Sequence, residues 1–342
     1  MFLNQRAREL LRKYSAGLAK EYGQESTKHY FSLTDPKETA LRSALLESVD
    51  FLSMITCADV DQLTGQVVNV GNPGIFTGRK EGGRFIRKTG VDGLEYKLSE
   101  TDSGAALTWA MLSVWANAGD ENEFFQRMQE FTNQSFALDM LRIGFNGKSI
   151  AKSTNPEENP NGEDVNIGWQ EFVRAYDDNQ IITDAVTLGA GGDYVSLDAM
   201  ASDLINSKIP AQFRNDPRLT VLVGADLVAA EQHRLYQAAD RPTEKIAAQM
   251  LGTSLAGRPA IVPPFMPGKR MIVTPLSNLH CYTQRGTRQR KAEFVDDRKQ
   301  YENKYLRNEG YAVEYPEMYA AFDESAVTIG KVEAPKDPSA GE

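Results

Sequence analysis

An unbroken helical pattern from Asp120 to Gly144 limits the fold of this chain more than any other feature. Asp120 is placed to cap it, with Glu123 three residues on as the reciprocal partner. Phe124, Met128, Phe131, Ser135, Leu138 and Arg142 then trace one line, flanked by Phe125, Ala137 and Leu141. At about 1.5 Å per residue this is a straight rod of roughly 30 Å or more, and the rest of the chain has to be arranged along it. With 342 residues there is enough chain for one large core, or for two core regions that share strands.

The character differs between Val60 and Trp109. Gln66–Val70, Gly83–Thr89 and Tyr96–Glu100 are short strand candidates, separated by Gly65, the Gly71 to Gly74 turn, Gly82, Gly83, Gly90 and Gly93. Few large apolar side chains occur between Gly71 and Gly93, so this stretch cannot build a core of its own. It reads as a long β-hairpin or arm that rests on something else, a neighbouring subunit being one candidate.

Residues 1–30 carry Arg6, Arg8, Arg12, Lys13, Lys20 and Lys28 against Glu9, Glu21 and Glu25, while Leu3, Ala7, Leu10, Tyr14 and Leu18 recur every three or four positions. That is a basic amphipathic helix. It either docks on an acidic surface of another chain or packs on its own domain. A second helical pattern runs from Pro36 to Met54. The polar run 152–164 is a surface loop. Further helices are predicted at Asn166–Tyr176, Leu197–Ile205, Asp226–Ala238 and Thr243–Met250, with strands at Leu219–Val223, Pro259–Val262, Met271–Thr274 and Tyr311–Tyr315. No repeat period suggests a solenoid or propeller.

The balance of 38 basic and 47 acidic residues gives net charge -9, so any contact with nucleic acid has to be local. Cys57 and Cys281 stand far apart without a CxxC spacing, and both read as buried thiols in a reducing compartment. No apolar run approaches the roughly 18 residues of a membrane span, and the N-terminus lacks the apolar core of a secretion signal, which points to synthesis in the cytoplasm and no membrane partner.

Catalytic and cofactor motifs are weak. Gly147-Lys148-Ser149 superficially suggests a phosphate loop, but the position of the first glycine is Arg142, inside the long helix. Ser254 in the run Gly252 to Gly257 has its following glycine one residue late for a nucleophile turn. His29, His233 and His280 have no ligand spacing, so no metal or cofactor is expected. Asp177, Asp178 and Asp184 read as the solvated end of a helix.

One basic concentration remains: Arg285, Arg288, Arg290 and Lys291, followed by Arg298, Lys299, Lys304 and Arg307. Interleaved Glu293, Asp296, Asp297 and Glu302 would repel a phosphate backbone, which favours salt bridges to another subunit over nucleic acid. Trp109 and Trp115, with Tyr96 nearby, read as packing anchors where the arm meets the long helix.

An ordered set of short runs carries a family resemblance. Asn159-Pro160, Asp164-Val165-Asn166-Ile167-Gly168-Trp169, Gly192-Asp193-Tyr194 and Leu197-Asp198-Ala199 resemble the P2-like tailed-phage major capsid proteins. So do Leu219 to Gly224, Pro259 to Pro263, Leu276 to Leu279 and Asn308 to Glu314, in the same order, over roughly residues 30–330.

The resemblance implies an α+β fold of the HK97-like type. Its parts would be a basic N-terminal segment at 1–30, similar in place to a scaffold-like region, an N-arm at 31–59 and an E-loop at 60–110. A P-domain at 111–184 would contain the spine helix 120–143, followed by an A-domain at 185–265, a return to the P-domain at 266–330 and a polar tail at 331–342. It further implies a homo-oligomer of pentamers and hexamers in a closed icosahedral head, assembled in the host bacterial cytoplasm and holding double-stranded DNA by non-specific contact. Portal, scaffold and maturation protease would be partners. Tyr30, Phe31 and Ser32 mark the implied processing junction. Arg79, Lys80, Arg84, Arg87 and Lys88 of the arm, with Trp109, Trp115, Arg285, Arg288, Arg290 and Lys291, are the expected inter-subunit contacts. The alternatives are a minor or decoration protein, or an enzyme with an unfamiliar carboxylate site.

Overall fold

The structure, a computed structural model, describes residues 3–67, 94–238 and 254–330, together with Thr77 and Glu81. The arm residues Arg79, Lys80, Arg84, Arg87 and Lys88, the strand expected at Gly83–Thr89, the helix expected at Thr243–Met250 and the tail 331–342 lie outside the described residues.

In chain order the elements begin with helix α1 (Gln5–Glu21), strand β1 (Phe31–Ser32), α2 (Asp35–Glu47) and α3 (Asp50–Met54). Strands β2 (Thr56–Val60), β3 (Thr64–Val67), β4 (Leu94–Lys97) and β5 (Ser99–Thr108) lead into α4 (Trp109–Ala118) and α5 (Glu121–Asn146). Next come α6 (Trp169–Tyr176), β6 (Ile181–Ile182), β7 (Val186–Leu188), α7 (Leu197–Asp203), β8 (Leu219–Val223) and α8 (Ala225–Ala238). The chain ends in β9 (Ser254–Leu255), β10 (Arg258–Ile261), β11 (Met271–Pro275), β12 (Leu279–Gln284), β13 (Gln289–Val295), β14 (Gln300–Val313), β15 (Ala320–Phe322) and β16 (Val327–Ile329).

These elements form two compact units. The first takes residues 1–63, 98–168 and 280–311; the second takes 64–97, 169–279 and 312–342.

The first unit is built on a sheet of order β1-β13-β14-β12-β2, with β5 also pairing with β14. β13 and β14 form an antiparallel hairpin from Gln289↔Leu306 to Val295↔Gln300. β5 pairs antiparallel with β14 from Ser99↔Glu309 to Thr108↔Gln300. Strict alternation of burial along β5 turns Thr101, Ser103, Ala105 and Leu107 inward. Helix α5 starts as its sequence demands, with Asp120 Oδ1 accepting the Glu123 backbone N–H at 2.8 Å. It ends later than expected, at Asn146, because Gly144 and Phe145 are buried within its last turn. Gly147 stops it, where the backbone meets the Asn166–Gly168 segment so closely that a Cβ would fall 2.2 Å from the Asn166 carbonyl oxygen.

The helix expected from Pro36 to Met54 is two helices. Val49 takes an extended conformation between them, and the Ser48 hydroxyl donates to the Leu45 carbonyl at 2.6 Å. Asn166 does not begin α6; its Oδ1 accepts the Ile167 N–H and its Nδ2 donates to the Glu309 carbonyl, both at 2.8 Å.

The second unit holds a sheet of order β6-β15-β11-β8-β10-β9. Leu219-Thr220-Val221-Leu222-Val223 is buried at every position, the reading of a strand covered on both faces. Val221, Val223, Met271, Val273 and Phe322 pack with Leu197, Met200, Leu204 and Leu227 in one apolar cluster. Each such side chain stabilises by about 1.5–3 kcal/mol when fully enclosed. β9 and β10 join through Ala256 and Gly257, at φ 50° and 70°, a left-handed pair suited to a tight hairpin. That turn explains Gly257 without a nucleophile.

Candidate functional site

The basic N-terminal segment packs on its own unit rather than standing free. Asn4 Oδ1 accepts the Ala7 N–H at 2.6 Å and opens α1. Leu3, Ala7, Leu10, Tyr14 and Leu18, the stripe read from the sequence, are all buried, in one cluster with Leu11, Leu112, Ala116, Phe124 and Met128. The rings of Phe125 and Tyr301 lie 5.7 and 6.0 Å from that of Tyr14, and the Ser15 and Tyr301 hydroxyls are 2.8 Å apart. Beyond the helix, Thr27 Oγ1 donates to the Ala292 carbonyl at 2.7 Å, and Ala292 N–H donates back to the Thr27 carbonyl at 2.9 Å. Arg8, Arg12 and Lys28 join Glu25, Glu293 and Asp296 in lining an open groove of about 380 Å³ beside α1.

At the implied processing junction, Phe31 and Ser32 form β1, paired with Arg290 and Gln289. Phe31 is buried and its ring lies 5.5 Å from that of Tyr22, whereas Tyr30 is exposed.

The basic cluster is largely answered within the chain. Arg288, 1 % exposed, pairs with Glu38 at 2.8 Å and with Asp59, and Arg42 also pairs with Asp59. Arg290 is buried as well; its Nη1 donates to the Tyr22 hydroxyl at 2.9 Å, and its guanidinium sits 5.6 Å from the centre of that ring. Both arginines were expected at a subunit contact. The physical reason for the difference is that Glu38 on α2 and Asp59 on β2 supply the counter-charges of Arg288, and Tyr22 beyond α1 the partner of Arg290, within the same chain.

Lys291 Nζ lies 2.7 Å from Glu293, and Lys304 bridges Glu302 and Glu293 at 2.8 and 3.4 Å. Burial alone would raise Glu293, but the hydrogen bond from Lys291 and the Lys304 contact hold its carboxyl below the ordinary value. Arg307, buried, pairs with Glu309 and donates to Ser103 Oγ at 2.8 Å, while the Tyr311 hydroxyl donates to Glu309 at 2.7 Å. Arg285 stays half exposed, 3.4 Å from an exposed Asp61. Trp109 stacks on Phe294 at 5.6 Å and Trp115 meets Phe131 edge-on at 6.2 Å. Both indoles are partly buried, and beside them on α4 Met111 and Val114 are exposed.

The remaining candidates resolve into structure. Lys148 and Ser149 direct their backbone N–H groups to the Glu163 carbonyl at 2.7 and 3.0 Å, so these groups are already engaged rather than open to a phosphate. Asp177 accepts the Asn179 N–H at 3.1 Å, Asp178 lies 3.7 Å from Arg174, and Asp184 is exposed. Among the described residues no group of three or more His, Cys, Asp or Glu is placed to hold a metal ion. No helix among them is long and apolar enough to cross a membrane. Sequence reasoning missed one pairing entirely: Cys57 and Cys281 are register partners on adjacent strands.

Comparison with known proteins agrees with this architecture. The model of the family described as phage major capsid protein, P2 family, matches residues 10–325. The capsid proteins of Escherichia phage P2 are 26% identical over 302 residues, covering 83% of this chain and 84% of theirs. The major capsid protein of Serratia phage KSP20 is 25% identical over 273 residues, covering 75% and 78%. Among solved structures, a chain of the satellite phage P4 procapsid, which includes a size determination protein, superposes with TM-score 0.75 at 24% identity, covering 94% of this chain and 98% of that one.

Proposed function

The chain belongs to the P2 family of phage major capsid proteins, and from that membership we propose that its copies close into an icosahedral head of pentamers and hexamers around double-stranded DNA. It is a structural protein of the phage capsid with the HK97-like fold, not an enzyme. The observation that carries the reading is the extent of the family match, residues 10–325, which takes in most of α1, the long helix and every strand of both units named above except β16. A decoration protein has no need of that whole set.

Rings of five and six require one surface to meet a different surface on the next copy, and a shell repeats each weak contact many times. The arm is the proposed device. β3 and β4 pair antiparallel from Thr64↔Lys97 to Val67↔Leu94 and bracket residues 68–93, whose composition cannot build its own core. Arg79, Lys80, Arg84, Arg87 and Lys88 would then meet carboxylates of the neighbour, joined by Arg285, Lys291 and the α4 face around Trp109 and Trp115. A portal, a scaffold and a maturation protease are the proposed partners, with DNA held non-specifically. Cutting at Tyr30–Ser32 requires β1 to leave β13 first.

Negative-stain microscopy of the purified chain, with and without residues 71–93, tests the reading. The full chain is expected to give closed particles and the deletion soluble, folded subunits without shells. Particles of normal size and yield from the deletion would overturn the arm's role.

A further inference from the structure

Cys57 and Cys281 are the chain's two cysteines, more than 200 positions apart. β2 and β12 run parallel, and Cys281 registers with Cys57 between the pairs His280↔Thr56 and Tyr282↔Ala58. Residues in register on neighbouring strands put their side chains on the same face, with strands about 4.8 Å apart. That separation lies within the roughly 4.4–6.8 Å between Cα atoms that a disulfide spans.

Cys57 Sγ donates to the Leu52 carbonyl at 3.8 Å. The two thiols differ in exposure. Cys281 is buried, whereas Cys57 is only partly covered on β2, the last strand in the order of its sheet. Their acidities diverge too. The hydrogen bond from Cys281 draws the Cys57 thiol down against the effect of burial, with the Arg42 charge assisting. The same bond and burial push Cys281 up. The more accessible thiol is thus the better nucleophile, and the enclosed one is placed to resolve the product.

We propose that Cys57 and Cys281 form a redox-modification site, which a small-molecule disulfide of the glutathione type converts to an intrachain disulfide joining β2 to β12. The Cys57 thiolate attacks one sulfur of oxidised glutathione; that S–S bond breaks and one glutathione thiolate leaves. Cys281 then gives its proton to solvent and attacks Cys57 Sγ, and the mixed disulfide releases the second glutathione. Two protein thiols lose two electrons, and one glutathione disulfide gains them to become two thiols.

The bridge closes a loop that contains α5 and most of the chain, so it constrains the unfolded chain more than the folded one. A shell made in a reducing cell and then released would acquire this tie after assembly. That consequence rests on the capsid reading, but the chemistry does not, since it belongs to the single chain.

The full-length protein is incubated with oxidised glutathione or with dithiothreitol, denatured in N-ethylmaleimide, and weighed intact. Two maleimide adducts are expected after reduction and none after oxidation, with the oxidised chain two hydrogens lighter than the unalkylated reduced chain. Oxidation should raise Tm, and dithiothreitol should reverse the rise. Cys281→Ser should instead carry one glutathione on Cys57, and Cys57→Ser should retain one free thiol without a shift in Tm. Two adducts after oxidation, a lasting glutathione on Cys57 beside free Cys281, or a chain-to-chain disulfide would each overturn the proposal. The wild-type masses decide it even where a variant fails to fold. Loss of shells by microscopy with the intrachain bridge intact would count against the capsid reading alone.

Discussion

Glu38 Oε1 lies 2.8 Å from Arg288 Nη1, and the two side chains are 3% and 1% exposed. The pair joins α2 to the turn before β13, where Gly286 N–H also donates to Glu38 at 3.3 Å. Removing Arg288 leaves Glu38 as an uncompensated buried charge, which costs about 3–5 kcal/mol, whereas removing Glu38 leaves Arg288 paired with Asp59 and costs less. Arg288→Met is therefore expected to be strongly destabilising, Glu38→Leu less so, and the double variant to lose less than the sum. Urea denaturation of unassembled subunits gives the coupling energy directly. Additive losses would show that the two charges act independently.

Asp323 makes the second unit sensitive to acid. Its Oδ1 accepts Ser325 N–H and Oγ at 3.0 and 2.6 Å, while Oδ2 accepts Gln170 at 2.9 Å and Arg174 at 2.5 Å. Burial alone would raise the carboxyl, but the Ser325 hydrogen bonds and the Arg174 contact hold it below the ordinary value. A depressed folded value means that the stabilisation is complete above the unfolded pKa of about 3.9 and is lost as pH falls through the folded value. Asp323→Asn should cost about 1.5–3 kcal/mol at pH 7 and flatten the acid limb. Denaturation midpoints from neutral pH down to acid measure both effects.

Gly147 and Gly168 are required by a close crossing rather than by a ligand. A Cβ on Gly168 would fall 2.6 Å from the Gly144 carbonyl oxygen, and one on Gly147 would meet the backbone of Asn166. Gly168 N–H donates to the Gly147 carbonyl at 3.0 Å, so neither segment can withdraw without breaking that bond. Gly147→Ala and Gly168→Ala are each expected to cost about 1–3 kcal/mol, the usual range for overpacking, read as a lower urea midpoint. Gly17→Ala, on the exposed face of α1 with no atom within 4 Å, is the control expected to stabilise slightly.

Order along the chain showed the helices better than the sheets. The capping of α5 by Asp120 and the buried stripe of α1 are local patterns, and both stand where the sequence puts them. β14 was read only in its last residues. Both of its faces are largely covered and it carries Glu302, Lys304, Arg307 and Glu309, so no period-two alternation is visible. β5 alternates strictly, but Thr101 and Ser103 occupy inward positions where an apolar pattern is expected. The partners of Arg288 were hidden for a related reason. Glu38 on α2 and Asp59 on β2 are more than 200 positions distant in sequence, and only the fold brings them to it. The cysteine register was hidden in the same way.

Removal of residues 1–30 should destabilise the free subunit, in contrast to a disposable arm. Leu112, Ala116, Phe124 and Met128 are all fully enclosed in the cluster that α1 completes. Without that helix they face water, at about 25 cal/mol per Å² of apolar surface exposed. Leu11→Ala is the graded test, with an expected loss of about 2–5 kcal/mol, while Lys13→Ala, in an exposed pair with Glu121 that solvent screens, should leave the urea midpoint nearly unchanged. If a maturation protease does excise the segment, the uncovered face of α4 and α5 needs a new cover, and within a shell only a neighbouring copy or another capsid component can supply it. Hydrogen exchange of α4 should then be fast in truncated free subunits and slow again in truncated particles. Equal protection in both would show that α1 is dispensable to the core it covers.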